Sequence, residues 1–477
     1  MSTGFRTFNP IQNTWNPEVY TTTSDIELIQ KLKLLASAQD SYRRLSIINR
    51  ADFLLSIHGA LQKKMGHIKS FYLKESGLSD KRFEAEWKRT LDTITLFEQH
   101  LRSHSSFEKE EHLAKDSLRI RKVALPIGPI LVLGSSNFPL AYSTIGGDTI
   151  AAFSAGCCVI VKAHAMHAGT SCAVAACIEE AREELNLPKG LFTHVLDDGI
   201  KLAQGLCLDE RIQGVGFTGS FKGGKALMEL AQSRENPIPV FAEMGSVNPV
   251  ILLNDLSIDQ QQHIAKKLAF SIGNDAGQFC TKPGLIFIPK GEFGTSFLML
   301  LKKAFSEISP VPMLHPNIHE NFEKRKMDLV SIKGVQHYSF QGELKGIEGR
   351  CALGETDLSI FLKCKSMSEE VFGPFCLVVR YENNEELKTG IDTLSGQLTG
   401  TLFFGNHSEQ VDEWVHILSE KVGRIVLNDV PTGVRVMETM HHGGPFPASS
   451  DARFTAVGTD SILRFQKYVS IQQQNIS

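Results

Sequence analysis

From Arg119 onward the chain alternates short, β-rich apolar runs with helical stretches, and this pattern restricts its possible folds more than any other feature. The runs are Leu118–Leu125, Ile130–Gly134, Val159–Lys162, Thr193–Leu196, Gly214–Phe217 and Pro239–Glu243. Strands joined through helices pair in parallel, because each crossover returns the chain to the same end of the sheet; the fold class predicted is α/β. Such a sheet collects ligands beyond the carboxyl ends of its strands, so the residues that follow each strand are the first to search for function. A second α/β unit is expected from Pro249 to Asn428, with strands near Leu285–Ile288, Cys376–Arg380 and Thr401–Phe404. Before these units the pattern is helical. Ser24-Asp-Ile-Glu27 has the form of a capping box ahead of Leu28, Leu32 and Leu35, and Ala51–Leu61 and Phe83–Leu101 repeat the helical period. This part is expected to be scaffold.

With 477 residues the chain is long enough for several domains of roughly 100–200 residues, and 42% hydrophobic with 22% charged residues is an ordinary globular composition. A net charge of −3 leaves no positive field to hold nucleic acid or an anionic membrane. The uncharged stretch Thr149–Val161 falls short of the ~20 apolar residues of a membrane span, and neither end carries a recognisable address, so a cytoplasmic location is expected. Nine cysteines, an odd number with no C-x-x-C pair, read as reduced thiols. No internal repeat or long linker interrupts the chain.

A G-x-G-x-x-G dinucleotide fingerprint is absent. Gly216-Phe-Thr-Gly219-Ser220 follows a strand and opens a helix, which suits either a phosphate site at helix amides or a glycine turn used only for packing. Cys280 stands apart from the other cysteines because Gly273-Asn-Asp-Ala-Gly-Gln-Phe-Cys-Thr281 is polar and glycine-bearing, poor packing material. On such a loop a thiol is expected to be exposed and depressed in pKa, as a nucleophile requires. Glu243 ends a strand where an acid has no packing role, and partial desolvation is expected to raise its pKa towards that of a usable base. His441-His442 suggests metal, but no second cluster supplies further ligands, so no metal site is expected. Ser103–Ser106 reads as a surface loop.

Taken in order, Pro126-Ile-Gly128, Asn137-Phe-Pro139, Lys162, Gly216–Ser220, Glu243-Met-Gly245, Gly277-Gln-Phe-Cys280-Thr and Glu370-Val-Phe372-Gly-Pro374 make the chain resemble the NAD(P)-dependent aldehyde dehydrogenases over nearly its whole length. Gly146-Gly-Asp-Thr149, Lys162-Ala-His164, Pro431-Thr-Gly-Val434 and His442-Gly-Gly-Pro-Phe-Pro447 are similar to the branch containing α-ketoglutaric semialdehyde (2,5-dioxovalerate) dehydrogenases and an NADP-dependent fatty aldehyde dehydrogenase. The resemblance implies a Rossmann-type cofactor domain (1–117 and 126–248), a catalytic domain (249–430), and an oligomerisation element with the carboxyl-terminal segment (118–125 and 431–477). It implies that Cys280 attacks the aldehyde and that Asn137 and the Cys280 backbone N–H hold the oxyanion, each such donor being worth about 2.7–4 kcal/mol. Glu243 would activate the water that hydrolyses the thioester.

By the same resemblance Lys162 contacts the adenosine ribose, Gly219 and Ser220 the pyrophosphate, and Glu370 and Phe372 the nicotinamide ribose. Many NAD-preferring members carry a glutamate three residues after the lysine; here that position is Ala165, and with Lys162 and His164 nearby NADP is expected, NAD remaining possible. Lys201 would add a second cation. The strand pair Leu118–Leu125 and Ile462–Ile471 implies a homodimer or homotetramer. The chain departs from the family at Gly146, where many members have lysine, at Glu243-Met-Gly-Ser-Val247, and at Arg435, where the branch has glutamate. Arg435 at the substrate mouth would pair with a carboxylate of α-ketoglutaric semialdehyde; a long-chain aldehyde is the alternative. Two readings from other classes are a thiol hydrolase or acyltransferase using Cys280 and Glu243, and a non-catalytic binding protein. Retention of Lys162, Ser220, Glu370 and Phe372 opposes the first, and retention of Cys280, Glu243 and Asn137 opposes the second.

Overall fold

The computed structural model describes residues 4–103, 108–113, 118–340, 342–405 and 408–474. Its first sheet is parallel and five-stranded, in the order Val240–Glu243, Gly214–Thr218, Ile130–Leu133, Val159–Lys162, Phe192–Val195. Ile130–Leu133 and Val159–Lys162 are apolar almost throughout because helices cover both faces of the sheet. The chain starts at Ile130, builds outward through two strands on one side, then returns to build two on the other. The strand order therefore reverses beside Ile130–Leu133, and a crevice opens there at the carboxyl ends.

Three amino-terminal helices, Asp25–Tyr42, Ile47–Ser76 and Asp80–Ser103, share one core with this sheet: Leu35, Phe53, Ile57, Phe83 and Phe97 join Leu131, Ile160 and Val215. Ser24 caps the first helix by accepting from the Glu27 N–H, and Ser46 caps the second. Gly77, at φ 65°, ends the second in the left-handed region that glycine occupies without steric cost. Ser103 closes the third helix; the remainder of the expected Ser103–Ser106 loop lies outside the described residues.

The second sheet has seven strands in the order Gln336–Ser339, Ala352–Asp357, Phe375–Tyr381, Leu285–Pro289, Val250–Leu252, Gln397–Phe403, Val422–Leu427, parallel except at its Gln336–Ser339 edge. Alternation along its strands feeds two cores. Ile251, Phe287, Val379 and Leu402 face one side; Val250, Leu252, Ile286, Ile288, Val378 and Phe403 face the other.

Leu118–Pro126 pairs antiparallel with Gln466–Gln474, from Leu118 opposite Gln474 to Pro126 opposite Gln466. The carboxyl-terminal strand starts four residues later than expected because Ile462 is buried in a 3₁₀ turn, Thr459–Phe465. A third strand, Glu108–Leu113, joins on the far side of Leu118–Pro126, although the sequence-based division places it with the cofactor unit. Among the described residues no helix is long and apolar enough to cross a membrane.

Candidate active site

Cys280 sits just beyond a turn that few sequences adopt. Asp275, Ala276 and Gly277 have φ of 48°, 53° and 63°, and a non-glycine residue in that region costs about 1–3 kcal/mol. Arg82 holds the turn in place: its Nε donates to Asp275 (3.0 Å), Nη1 to Glu86 (3.0 Å) and Nη2 to the Asn137 carbonyl (3.2 Å). On the other side Asn248 Nδ2 donates to the carbonyls of Cys280 (2.8 Å) and Lys282 (3.0 Å). The thiol is thus clamped from both flanks.

Strand Val240–Glu243 delivers Glu243 to the same place. The carboxyl-terminal segment then folds back over it: Glu243 bridges Ser449, the Met244 N–H donates to Ala448, and the Ser450 N–H donates to Ala242. This return brings in His442, whose ring is buried and whose Nε2 lies 2.8 Å from Glu243 Oε1 and 3.7 Å from Cys280 Sγ. Glu243 Oε2 and His442 Nδ1 are buried without hydrogen-bond partners. Donor atoms of Glu243, Cys280 and His442 all lie within 4.8 Å of one another, close enough to share a proton or a metal ion. The sequence-based argument against metal at His442 held that no other ligands were available; two are adjacent.

Both expected pKa shifts are reversed. Burial, reinforced by the facing Glu243 carboxylate, pushes the Cys280 thiol well up rather than down. For Glu243, burial raises the pKa, but the charge and hydrogen bond of His442 outweigh it and hold the carboxyl below its usual range. Asn137 is buried and donates Nδ2–H to the Gln278 carbonyl (2.9 Å), two residues before the thiol, leaving its second N–H uncommitted.

A cavity of about 630 Å³ opens in front of Cys280. Phe138, Tyr142, Phe279 and Val434 form its apolar wall. Arg82 and Arg89 enter it from helix Asp80–Ser103, so that helix is more than scaffold. Arg89 carries no motif, and sequence reasoning missed it. Arg435 lines the same cavity as an exposed side chain.

A second cleft, about 540 Å³, lies at the reversal point of the first sheet and brings Lys162, His164, Ala165 and Ser220 together with Leu133, Gly134 and Phe217. Ser220 caps helix Phe221–Gln232 by accepting from the Gly223 N–H, and the Gly219 N–H donates to the Glu243 carbonyl, joining this loop to the strand that carries the acid. A Cβ on Gly219 would come within 2.6 Å of the Phe217 ring, so only glycine leaves this approach open. Lys162 Nζ donates to the Asp197 carbonyl (2.8 Å). Burial keeps His164 neutral, and its Nδ1 accepts from the Met166 N–H, so it can offer an Nε2–H donor but not a charge. Lys201 opens helix Lys201–Leu208 without lining the cleft; Lys222 lines it instead, as does Asp198, an acid that composition alone did not flag. Glu370 folds against the Gly245-Ser246 turn, where a Cβ on Gly245 would clash with its Oε2. Burial raises its pKa, partly offset by buried Lys282, which donates to the carbonyls of Val371 and Phe375. Phe372 follows, half-buried, in the same loop. Helix amides with Lys222 beside them, and glycines wherever a side chain would block approach, fit a dinucleotide.

Comparison with known proteins agrees. The model of the aldehyde dehydrogenase family matches residues 2–446. Alpha-ketoglutaric semialdehyde dehydrogenase of Acinetobacter baylyi is 35% identical over 443 residues, covering 90% of this chain and 83% of that protein. Alpha-ketoglutaric semialdehyde dehydrogenase 2 of Azospirillum brasilense is 35% identical over 465 residues, covering 95% and 88%. Among solved structures, a glyceraldehyde-3-phosphate dehydrogenase of Methanocaldococcus jannaschii complexed with NADP superposes with a TM-score of 0.84 at 17% identity, covering 99% of each chain. A 1-pyrroline-5-carboxylate dehydrogenase from Thermus with bound NAD gives 0.86 at 17% identity, covering 99% of this chain and 90% of that one. These two show the fold. The chain belongs to the aldehyde dehydrogenase family, and its activity is the NAD(P)-dependent oxidation of an aldehyde.

Proposed function

We propose that the protein oxidises α-ketoglutaric semialdehyde to 2-oxoglutarate with NADP as the preferred cofactor. The observation that carries this reading is the Glu243–His442–Cys280 group, with Glu243 and His442 buried and Cys280 opening onto a cavity whose wall holds arginines. The two relatives that share 35% of its residues are named for that aldehyde.

The bound nicotinamide supplies the hydride acceptor; the chain supplies everything else. In the resting site the His442 Nε2–H points between Glu243 Oε1 and Cys280 Sγ, and Oε2 is free to take the thiol proton. Sulfur attacks the carbonyl carbon as that proton leaves. The second Asn137 N–H and the Cys280 backbone N–H stabilise the oxyanion of the thiohemiacetal. Once the thioester has formed and Glu243 has released the former thiol proton to solvent, Glu243 draws a proton from water, which attacks the thioester, frees the acid and leaves the Cys280 sulfur to take that proton back. The low pKa that His442 gives Glu243 keeps it ionised for both steps. The three donor atoms thus serve proton transfer, and the reading needs no metal.

Lys162 and His164 would contact the adenosine ribose, Gly219, Ser220 and the amides after it the pyrophosphate, and Glu370 and Phe372 the nicotinamide ribose. Lys162 and Lys222 against the single acid Asp198 favour a 2′-phosphate. We keep the division expected from sequence, 1–117 with 126–248 for the cofactor, 249–430 for catalysis and 118–125 with 431–477 flanking, except that Glu108–Leu113 goes with the flanking sheet because it pairs with Leu118–Pro126. The flanking sheet leaves Tyr468, Val469 and Ile471 exposed on an edge strand, which suits a homodimer or homotetramer. Nine unpaired thiols suit the cytoplasm.

The test is the appearance of reduced cofactor with NAD or NADP across carboxylated, short neutral and long-chain aldehydes. Highest kcat/KM for α-ketoglutaric semialdehyde with NADP supports the reading. The cavity's aromatic wall favours a second reading, a long-chain aldehyde, and best turnover of such a substrate would replace the first.

A further inference from the structure

We propose that Arg89, not Arg435, receives the far carboxylate of the substrate and sets the charge class of aldehyde that the enzyme accepts. The inference deepens the proposed function and rests on it, taking the cavity before Cys280 as the aldehyde site.

Two guanidinium groups of helix Asp80–Ser103 reach this cavity, seven residues and two turns apart on one face, and their surroundings differ. Arg82 is neutralised by Glu86 and Asp275, each at 3.0 Å. Arg89 has only neutral partners: Nη1 donates to the Val434 carbonyl (2.9 Å) and Nη2 to the Tyr142 hydroxyl (2.7 Å). Among the described residues no ion pair joins it to a carboxylate, and the acid that shares its stretch of wall, Asp92, is held by Lys88 at 2.6 Å. Half-buried beside the rings of Phe138 and Tyr142, a guanidinium without a counter-charge leaves desolvation uncompensated until an anion arrives. Each Nη keeps one N–H and Nε keeps its own, so a fork of donors remains for a planar carboxylate.

Its position suits the task. Arg89 is half-buried in the wall of the cavity that opens on Cys280, bonded to Val434 and Tyr142 of that wall, so a carboxylate reaching it is inside the cavity rather than at its mouth. Arg435 is exposed to solvent, where screening reduces what it can contribute. The two are linked nonetheless: Arg89 binds the carbonyl of Val434, the residue before Arg435, so it also fixes the loop on which Arg435 stands.

The experiment compares kcat/KM for α-ketoglutaric semialdehyde and for pentanal, a neutral aldehyde of the same length, in the wild type, Arg89→Gln, Arg89→Lys and Arg435→Gln. In the wild type the carboxylated substrate should lead. In Arg89→Gln the ratio should fall by about a hundred-fold, mainly through KM, in line with the loss of a buried charge-assisted hydrogen bond. Arg89→Lys should recover part of the ratio, since it keeps the charge but not the fork, and it also serves if the glutamine variant does not fold. Arg435→Gln should change the ratio far less. The pH profile of Cys280 alkylation separates a role in recognition from one exerted through the thiol. Equal losses for both substrates with a shifted profile would overturn the assignment, as would a selective loss in Arg435→Gln alone. A wild type that prefers pentanal would sink the substrate reading together with this one, whereas a wild-type preference that survives in Arg89→Gln would remove only Arg89.

Discussion

His442→Phe isolates the least expected member of the site, because it keeps a ring in a buried position and removes the N–H. That N–H lies 2.8 Å from Glu243 Oε1 and 3.7 Å from Cys280 Sγ, and Glu243 is only 4% exposed. A hydrogen bond to a charged group contributes about 1.5–3 kcal/mol, which corresponds to about 10–150-fold in the equilibrium or rate that depends on it. Two effects follow. With its folded pKa held down by His442, Glu243 stays ionised through neutral pH, and its contribution is lost only as pH falls through that lowered value. In the variant burial is still opposed by Cys280 and Arg89 but no longer by His442, so Glu243 takes up a proton at higher pH and the acid limb of the activity profile moves upward. Stopped-flow absorbance of reduced cofactor, run as a pH series, reads both the first turnover and the steady rate, and thermal denaturation monitors the fold. Both phases should slow at neutral pH and recover in part at alkaline pH. An acid limb in its original place, with both rates unchanged, would refute the role given to His442.

Burial and Glu243 raise the Cys280 thiol, so without cofactor its alkylation by iodoacetamide should be slow at neutral pH and still climbing in the alkaline range. A plateau at or below neutrality would show a preformed thiolate and contradict the geometry. Ala165→Glu places a carboxylate in the cleft that holds Lys162 and Lys222, and should move kcat/KM from NADP towards NAD; an unchanged ratio of the two cofactors would mean that other residues read the adenosine end.

Strands buried on both faces, such as Ile130–Leu133 and Leu285–Pro289, were legible because helices cover each side and leave continuous apolar runs. Gln336–Ser339 was hidden because an edge strand needs few apolar residues, and Ala352–Asp357 because glycine and acids interrupt it. The motif-bearing residues Cys280 and Glu243 were visible; their electrostatics were not. A pKa depends on which groups face the site, and His442 arrives from 199 residues beyond Glu243 through the return of the carboxyl-terminal segment. Arg89 looked like any polar residue of an amphipathic helix, and only the packing of that helix against the cavity distinguishes it from a solvated charge. Conversely, His164 and Lys201 offered positive charge on paper, but burial neutralises the first and the second does not line the cleft.

The central claim is that Cys280 carries the acyl group and Glu243 removes it. Glu243→Gln keeps the shape of the side chain but can accept neither the thiol proton nor a proton from water, so mixing this variant with aldehyde and NADP should give one equivalent of reduced cofactor, formed more slowly than in the wild type, and then a steady rate slowed much further. Acid quench at the end of the burst, followed by peptide mass spectrometry, shows where the acyl group rests. The account predicts a thioester on the peptide containing Cys280, at close to one per chain. An adduct on another residue, or no adduct while Cys280→Ala still turns over, would contradict it.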